Sequence, residues 1–154
     1  MDLLLDVLKR HYGWSEFRPG QRPVVECLLQ GQDCLAVLPT GGGKSLCFQL
    51  PALVRSGLVV VISPLVALME DQVLQLRGRG IAAACLHGAI DPVQRRQTLS
   101  QLSDGSLRLL YLAPERLQGE ATRSVLQEHA ATGQLVALAV DEAHCISAWG
   151  HDFR

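Results

Sequence analysis

The sequence predicts an α/β fold, a parallel sheet flanked by helices, and three observations carry that expectation. Short apolar runs alternate with helical stretches along the whole chain, the pattern of repeated strand–helix–strand units. Several runs, Leu58–Ile62 and Leu135–Val140 among them, are apolar at every position, as strands covered on both faces are. The stretches between the later runs are long enough for right-handed crossovers. A chain of 154 residues, 48% hydrophobic and 19% charged, is long and apolar enough for one domain with a real core.

Each element has a local reason. Asp2 is placed to cap a first helix whose Leu4, Leu5 and Leu8 share a face and which stops near Tyr12-Gly13. A second helix starts at Pro19 and ends before Gly31, so residues 1–31 form a helical lead to a sheet domain over 32–154. Strands are expected at Cys34–Leu38, Leu58–Ile62, Ile81–Leu86, Leu107–Leu112 and Leu135–Val140. Helices are expected over Lys44–Arg55, Leu65–Arg77, Pro92–Ser103 and Glu120–Ala131, with Pro51 a potential kink in the first. Ser63-Pro64 and Ala113-Pro114 stand just past strand ends, where open parallel sheets place ligands. Arg77, Arg79, Arg95 and Arg96 read as solvated helix-surface charges.

Composition excludes several classes. With 14 Lys+Arg against 15 Asp+Glu there is no global basic field, so any nucleic-acid contact must be local. The start is acidic where a secretory signal is basic, and no segment approaches transmembrane length, so a cytoplasmic protein without membrane contact is expected. Five cysteines without a C-x-x-C pair read as reduced core residues, not as a zinc site.

Two segments carry chemistry. Leu38-Pro39-Thr40-Gly41-Gly42-Gly43-Lys44-Ser45 leaves an apolar run and opens a helix, as a phosphate-binding loop does. Its glycines let backbone N–H groups converge on phosphate oxygens, Lys44 adds a mobile cation, and the Ser45 hydroxyl is placed to ligate Mg2+. The strict signature has glycine six places before the lysine, where this chain has Leu38. Asp141-Glu142-Ala143-His144 follows the last apolar run; Asp141 suits the metal's water shell and Glu142 the attacking water of a nucleotide triphosphate. The plain alternatives are a Gly-rich turn and a solvated acidic turn, with a histidine that only hydrogen-bonds locally. A small P-loop phosphotransferase and a non-catalytic remnant are the rival functions.

These segments, together with Phe17-Arg18-Pro19-Gly20-Gln21, Ser63-Pro64-Leu65, Ala113-Pro114-Glu115-Arg116 and the continuation Cys145-Ile146-Ser147, resemble the first motor domain of RecQ-type DNA helicases. Those are superfamily-two helicases with RecA-like motor domains, and their phosphate loop is similar to this one, Leu38 included. The resemblance implies ATP and Mg2+ as cofactors, hydrolysis coupled to 3′ to 5′ translocation on single-stranded DNA, unwinding of forked duplexes, a place in repair and recombination and, if the source is bacterial, association with the nucleoid. RNA is a weaker rival substrate. It implies a catalytic set of Lys44, Asp141 and Glu142, phosphate and metal contacts from Thr40, Gly41, Gly42, Gly43 and Ser45, and adenine recognition by Trp14, Arg18 and Gln21. Stacking by Trp14 and Arg18, and the paired donor and acceptor of the Gln21 amide, suit a purine. For DNA contact or coupling it implies Ser63, Pro64, Pro114, Arg116, His144, Trp149, His151, Phe153 and Arg154, the last four in a loop whose aromatics can stack on bases. In the family a further strand inserts between the phosphate-loop strand and the strand ending at Asp141, and a second motor domain completes the ATP cleft. The sheet is therefore expected to be incomplete at the C-terminus of this chain, and the chain alone to turn over ATP very slowly.

Overall fold

A computed structural model describes residues 2–39 and 43–145. Helix α1 (Leu3–Tyr12) begins where the Asp2 carboxylate accepts the Leu4 and Leu5 N–H groups at 3.1 and 3.4 Å, and ends at Gly13, whose φ of 77° suits a glycine cap. Helix α2 spans Gln21–Leu29 and α3 spans Lys44–Val54, running through Pro51. Together these three helices enclose an apolar cluster in which Leu8, Val25 and Leu50 are fully buried.

Four parallel strands follow: β1 (Leu58–Ile62), β2 (Ala83–Leu86), β3 (Leu109–Leu112) and β4 (Leu135–Val140), in the order β2-β3-β1-β4. The crossovers are α4 (Val66–Gly78), α5 (Pro92–Asp104) and α6 (Glu120–Ala131), the last preceded by a 3-10 turn over Pro114–Gln118. The alternation of β1 splits the core in two. Val59 and Val61 face Phe48 of α3 and Met69, Val73 and Leu76 of α4, whereas Leu58, Val60 and Ile62 face Leu102 of α5 across the opposite layer. Helices thus cover both faces, which is why β1 is apolar throughout and buried throughout. Gly57 admits β1 beside β4: its φ is 147°, and a Cβ there would stand 2.5 Å from the Gln134 carbonyl oxygen.

One expected strand is not one. Cys34–Leu38 has no ladder partner, and Leu35 and Val37 are 87% and 86% exposed. Apolar sequence alone makes no strand, because half of a strand's backbone groups need a neighbouring strand, and none of the four described strands supplies it. Edge strand β4 shows the complementary feature: Leu138 and Val140 are exposed on an element whose Val136 is buried. Two strands begin later than the pattern suggests, at Ala83 and Leu109. The Ile81 N–H is taken by the Leu76 carbonyl at the end of α4, so Ile81 is buried without joining the ladder. Two arginines read as surface charges also serve the packing. Arg77 donates to the Ala83 carbonyl at 2.8 Å, and the Arg79 guanidinium lies 4.9 Å from the Tyr12 ring centre. Among the described residues no helix is long and apolar enough to cross a membrane, and no cluster of three metal-ligating side chains occurs.

Candidate nucleotide site

The sheet topology brings the two chemical segments together. Lys44 opens α3, Asp141 and Glu142 close β4, and the Lys44 ammonium lies 2.6 Å from Glu142 Oε1 and 3.3 Å from Asp141 Oδ1. The Asp141 N–H extends the ladder by donating to the Ile62 carbonyl at 2.9 Å, which fixes its buried side chain at the strand end. Glu142 then turns sharply, with φ 55°, a left-handed conformation that costs a non-glycine residue about 1–3 kcal/mol and persists where the surroundings hold it. The Asp141 carboxylate accepts the Glu142 N–H at 3.0 Å, and Lys44 grips the Glu142 side chain. That ammonium holds the Glu142 carboxyl below the usual glutamate range, and the same hydrogen bond raises Lys44 above the usual lysine value. His144 is exposed, 3.4 Å from Glu142 Oε2.

The side around Gly43 and Gln21 is built as tightly. Gly43 has φ 75°, and any Cβ there would collide with the Gln21 amide nitrogen, so glycine is required twice over. Gln21 is buried: its Nε2 donates to the Gly43 carbonyl at 2.9 Å, and its Oε1 accepts the Arg18 N–H at 2.9 Å. Trp14 stacks on Tyr12 with centres 5.6 Å apart, and the Arg18 guanidinium lies over its ring at 5.9 Å. The Ser45 hydroxyl accepts from Gln72 Nε2 at 3.2 Å. Of the remaining expected residues, Ser63 is buried and accepts the Leu65 N–H, forming the turn into α4. Arg116, following Pro114, donates to the His87 carbonyl at 2.8 Å. Thr40, Gly41, Gly42, Trp149, His151, Phe153 and Arg154 lie outside the described residues.

Sequence reasoning missed Gln49, Gln72, Tyr111 and the His87–Glu70 pair, the last two joined at 2.7 Å. A signal was there for Gln49, a polar residue inside the otherwise apolar stretch Leu46–Leu53. Gln72 offered none, since glutamine is ordinary on a helix surface.

Residues 18–154 match the DEAD/DEAH box helicase family. The chain belongs to that family. Among curated relatives of this helicase chain, the ATP-dependent DNA helicase RecQ of Synechocystis sp. is 50% identical over 151 residues, covering 98% of this chain and 31% of the relative. The protein of that name from Haemophilus influenzae is 48% identical over 97% of this chain and 24% of its own length. The probable ATP-dependent DNA helicase RecS of Bacillus subtilis is 43% identical over all of this chain and 30% of its own. The chain therefore spans about a quarter to a third of the length of these relatives. Among solved structures, a hypothetical ATP-dependent RNA helicase from Sulfolobus tokodaii superposes with a TM-score of 0.71 at 19% identity, over 97% of this chain and 44% of that one. A DNA-bound DUF1998 helicase, MrfA, gives 0.65 at 20% identity, over 91% and 20%. At such identities the likeness is one of fold, a parallel sheet with helices on both faces.

Proposed function

We propose that this chain is the nucleotide-binding part of a RecQ-like, ATP-dependent DNA helicase. One observation carries the reading: Lys44, from the first turn of α3, meets Glu142 and Asp141 at the end of β4, so both halves of a nucleotide-hydrolysing site converge in one place.

The residues act as follows. ATP phosphates take over Lys44 from its carboxylate partners, and the N-terminus of α3 adds partial positive charge. Released from Lys44, Glu142 orients a water against the terminal phosphate and accepts its proton. The carboxylate of Asp141 and the hydroxyl of Ser45 are hard oxygen donors of the kind Mg2+ takes together with phosphate oxygens, so the pair fits that ion. Mg2+ would neutralise charge on the phosphates. On the base side, adenine enters between Trp14 and Arg18, whose 5.9 Å separation must widen toward the roughly 7 Å that two van der Waals contacts need. Gln21 reads the adenine edge by exchanging its Arg18 and Gly43 partners.

The turns entered by Ser63-Pro64 and Pro114, with Arg116, His144 and the aromatic segment of Trp149 and Phe153, meet single-stranded or forked DNA. Translocation, unwinding and repair or recombination belong to the full-length protein, acting in the compartment that holds the DNA. There a further strand bridges the unpaired Cys34–Leu38 run and the edge of β4, and a second motor domain supplies arginine fingers worth about 10³–10⁵ in rate. The exposure of Leu35 and Val37 on the run and of Leu138 and Val140 on β4 supports the bridging strand.

Glu142→Gln tests the chemistry. In the full-length protein it is expected to keep ATP binding while DNA-stimulated hydrolysis falls about 10²-fold or more. Hydrolysis at the original rate removes Glu142 as the base.

A further inference from the structure

Four hydrogen bonds run as one chain through the interior and end on the Ser45 hydroxyl. The Tyr12 O–H donates to Gln49 Oε1 at 2.8 Å, Gln49 Nε2 donates to the Tyr111 oxygen at 2.8 Å, the Tyr111 O–H donates to Gln72 Oε1 at 2.7 Å, and Gln72 Nε2 donates to Ser45 Oγ at 3.2 Å. Every link points the same way, and the chemistry of the groups ties each link to the next. A tyrosine has one proton; Tyr111 gives its own to Gln72 and so must accept from Gln49, which leaves the Gln49 carbonyl for Tyr12. Inverting the Gln72 amide alone would set its NH2 against the Tyr111 O–H and leave that proton without an acceptor where Tyr111 is 1% exposed, so the Gln72 and Gln49 amides are coupled and reverse only together. The amide of Gln72 is thereby held in place by Tyr111, and its NH2 donates to Ser45.

The end of the chain differs from its middle. Tyr12, Gln49 and Tyr111 are core residues satisfying one another, whereas Ser45 follows Lys44 in the first turn of α3. A serine hydroxyl has two lone pairs and one proton. With one lone pair held by Gln72, the oxygen is held in place and its remaining lone pair is confined to the two positions that preserve this bond. The chain also starts from Tyr12, the ring on which Trp14 stacks, so it joins the base side of the cleft to the phosphate side.

We infer that Gln72 is a positioning residue for the nucleotide's metal: its amide, locked by Tyr111, holds the Ser45 hydroxyl in the orientation that ligates Mg2+ on bound ATP. The inference rests on the reading of Ser45 as a Mg2+ ligand proposed above.

The experiment measures binding of a fluorescent ATP analogue to the full-length protein, once with Mg2+ and once with a chelator. The ratio of the two dissociation constants isolates the contribution of the metal, and because both come from the same preparation it is insensitive to an unfolded fraction. Loss of one positioning hydrogen bond is expected to shrink that ratio about three- to tenfold in Gln72→Leu. Tyr111→Phe, remote from the nucleotide, should shrink it in the same direction, and the double variant no further than Gln72→Leu alone. In a Ser45→Ala background Gln72→Leu should change nothing more. Unaltered ratios in both single variants, or effects of Gln72→Leu and Ser45→Ala that multiply, overturn the inference while leaving the nucleotide site standing. A native protein without Mg2+-dependent affinity, or Ser45→Ala with the native ratio, overturns both.

Discussion

Strand β1 and the run Cys34–Leu38 are nearly indistinguishable as sequence and opposite as structure. Both are five-residue apolar runs leading into a turn and a helix. All five residues of β1 are buried between α3 and α4 on one face and α5 on the other, hydrogen-bonded to β3 and β4. The other run pairs with nothing and exposes Leu35 and Val37. Hydrophobicity states only that a segment gains by burial; whether it becomes a strand depends on a partner for its backbone and a cover for its side chains.

That contrast predicts a large asymmetry. Val60→Asp in β1 buries an unpaired charge between two layers and is expected to cost about 4 kcal/mol or more, enough to abolish a cooperative thermal transition in a marginally stable domain. Val37→Asp should change the urea midpoint of the 154-residue chain by less than about 0.5 kcal/mol equivalent. Equal damage from both substitutions would mean that the run is covered in solution. In the full-length protein, where a bridging strand is proposed, Val37→Asp is expected to become destabilising.

The entry into β1 sharpens the comparison. Gly57→Ala places a methyl group against the Gln134 backbone and the Val136 side chain at a φ that disfavours any Cβ, and about 2 kcal/mol should be lost in chemical denaturation. Gly31, which leads toward the unpaired run, has open space where a Cβ would sit, so its φ of 73° is its only demand for glycine, and Gly31→Asn should cost less than Gly57→Ala.

The smallest effect concerns the ion pair that links the two regions, because Lys44 lies beyond the unpaired run and Glu142 beyond β4. Removing an exposed lysine from such a pair is expected to cost under about 1 kcal/mol at neutral pH. Its pH signature has a definite sign. Lys44 depresses the Glu142 carboxyl in the folded state, so the pair's contribution is complete above the ordinary glutamate value of 4.5 and disappears as pH falls through the lowered folded value. Lys44→Ala should therefore lose less stability than the native chain between pH 5 and strongly acid solution, and the Glu142 carboxyl, followed by carbon-13 NMR, should return toward 4.5.

The sequence by itself determined the alternation, the fold class, the cap at Asp2 and the bounds of β1, β4 and α6, and it singled out the two segments of the candidate site, because these depend on local pattern and on residue chemistry that needs no neighbours. The resemblance to RecQ-type helicases was legible on the same short segments. What only the tertiary structure decided depends on partners distant in sequence. It paired Lys44 with Glu142, turned Gln21 inward onto Gly43, gave Arg116 the His87 carbonyl, and threaded Tyr12, Gln49, Tyr111 and Gln72 into one line ending at Ser45. It also withheld strand structure from Cys34–Leu38, since a ladder is a property of two segments and one segment's sequence cannot state whether the other is beside it.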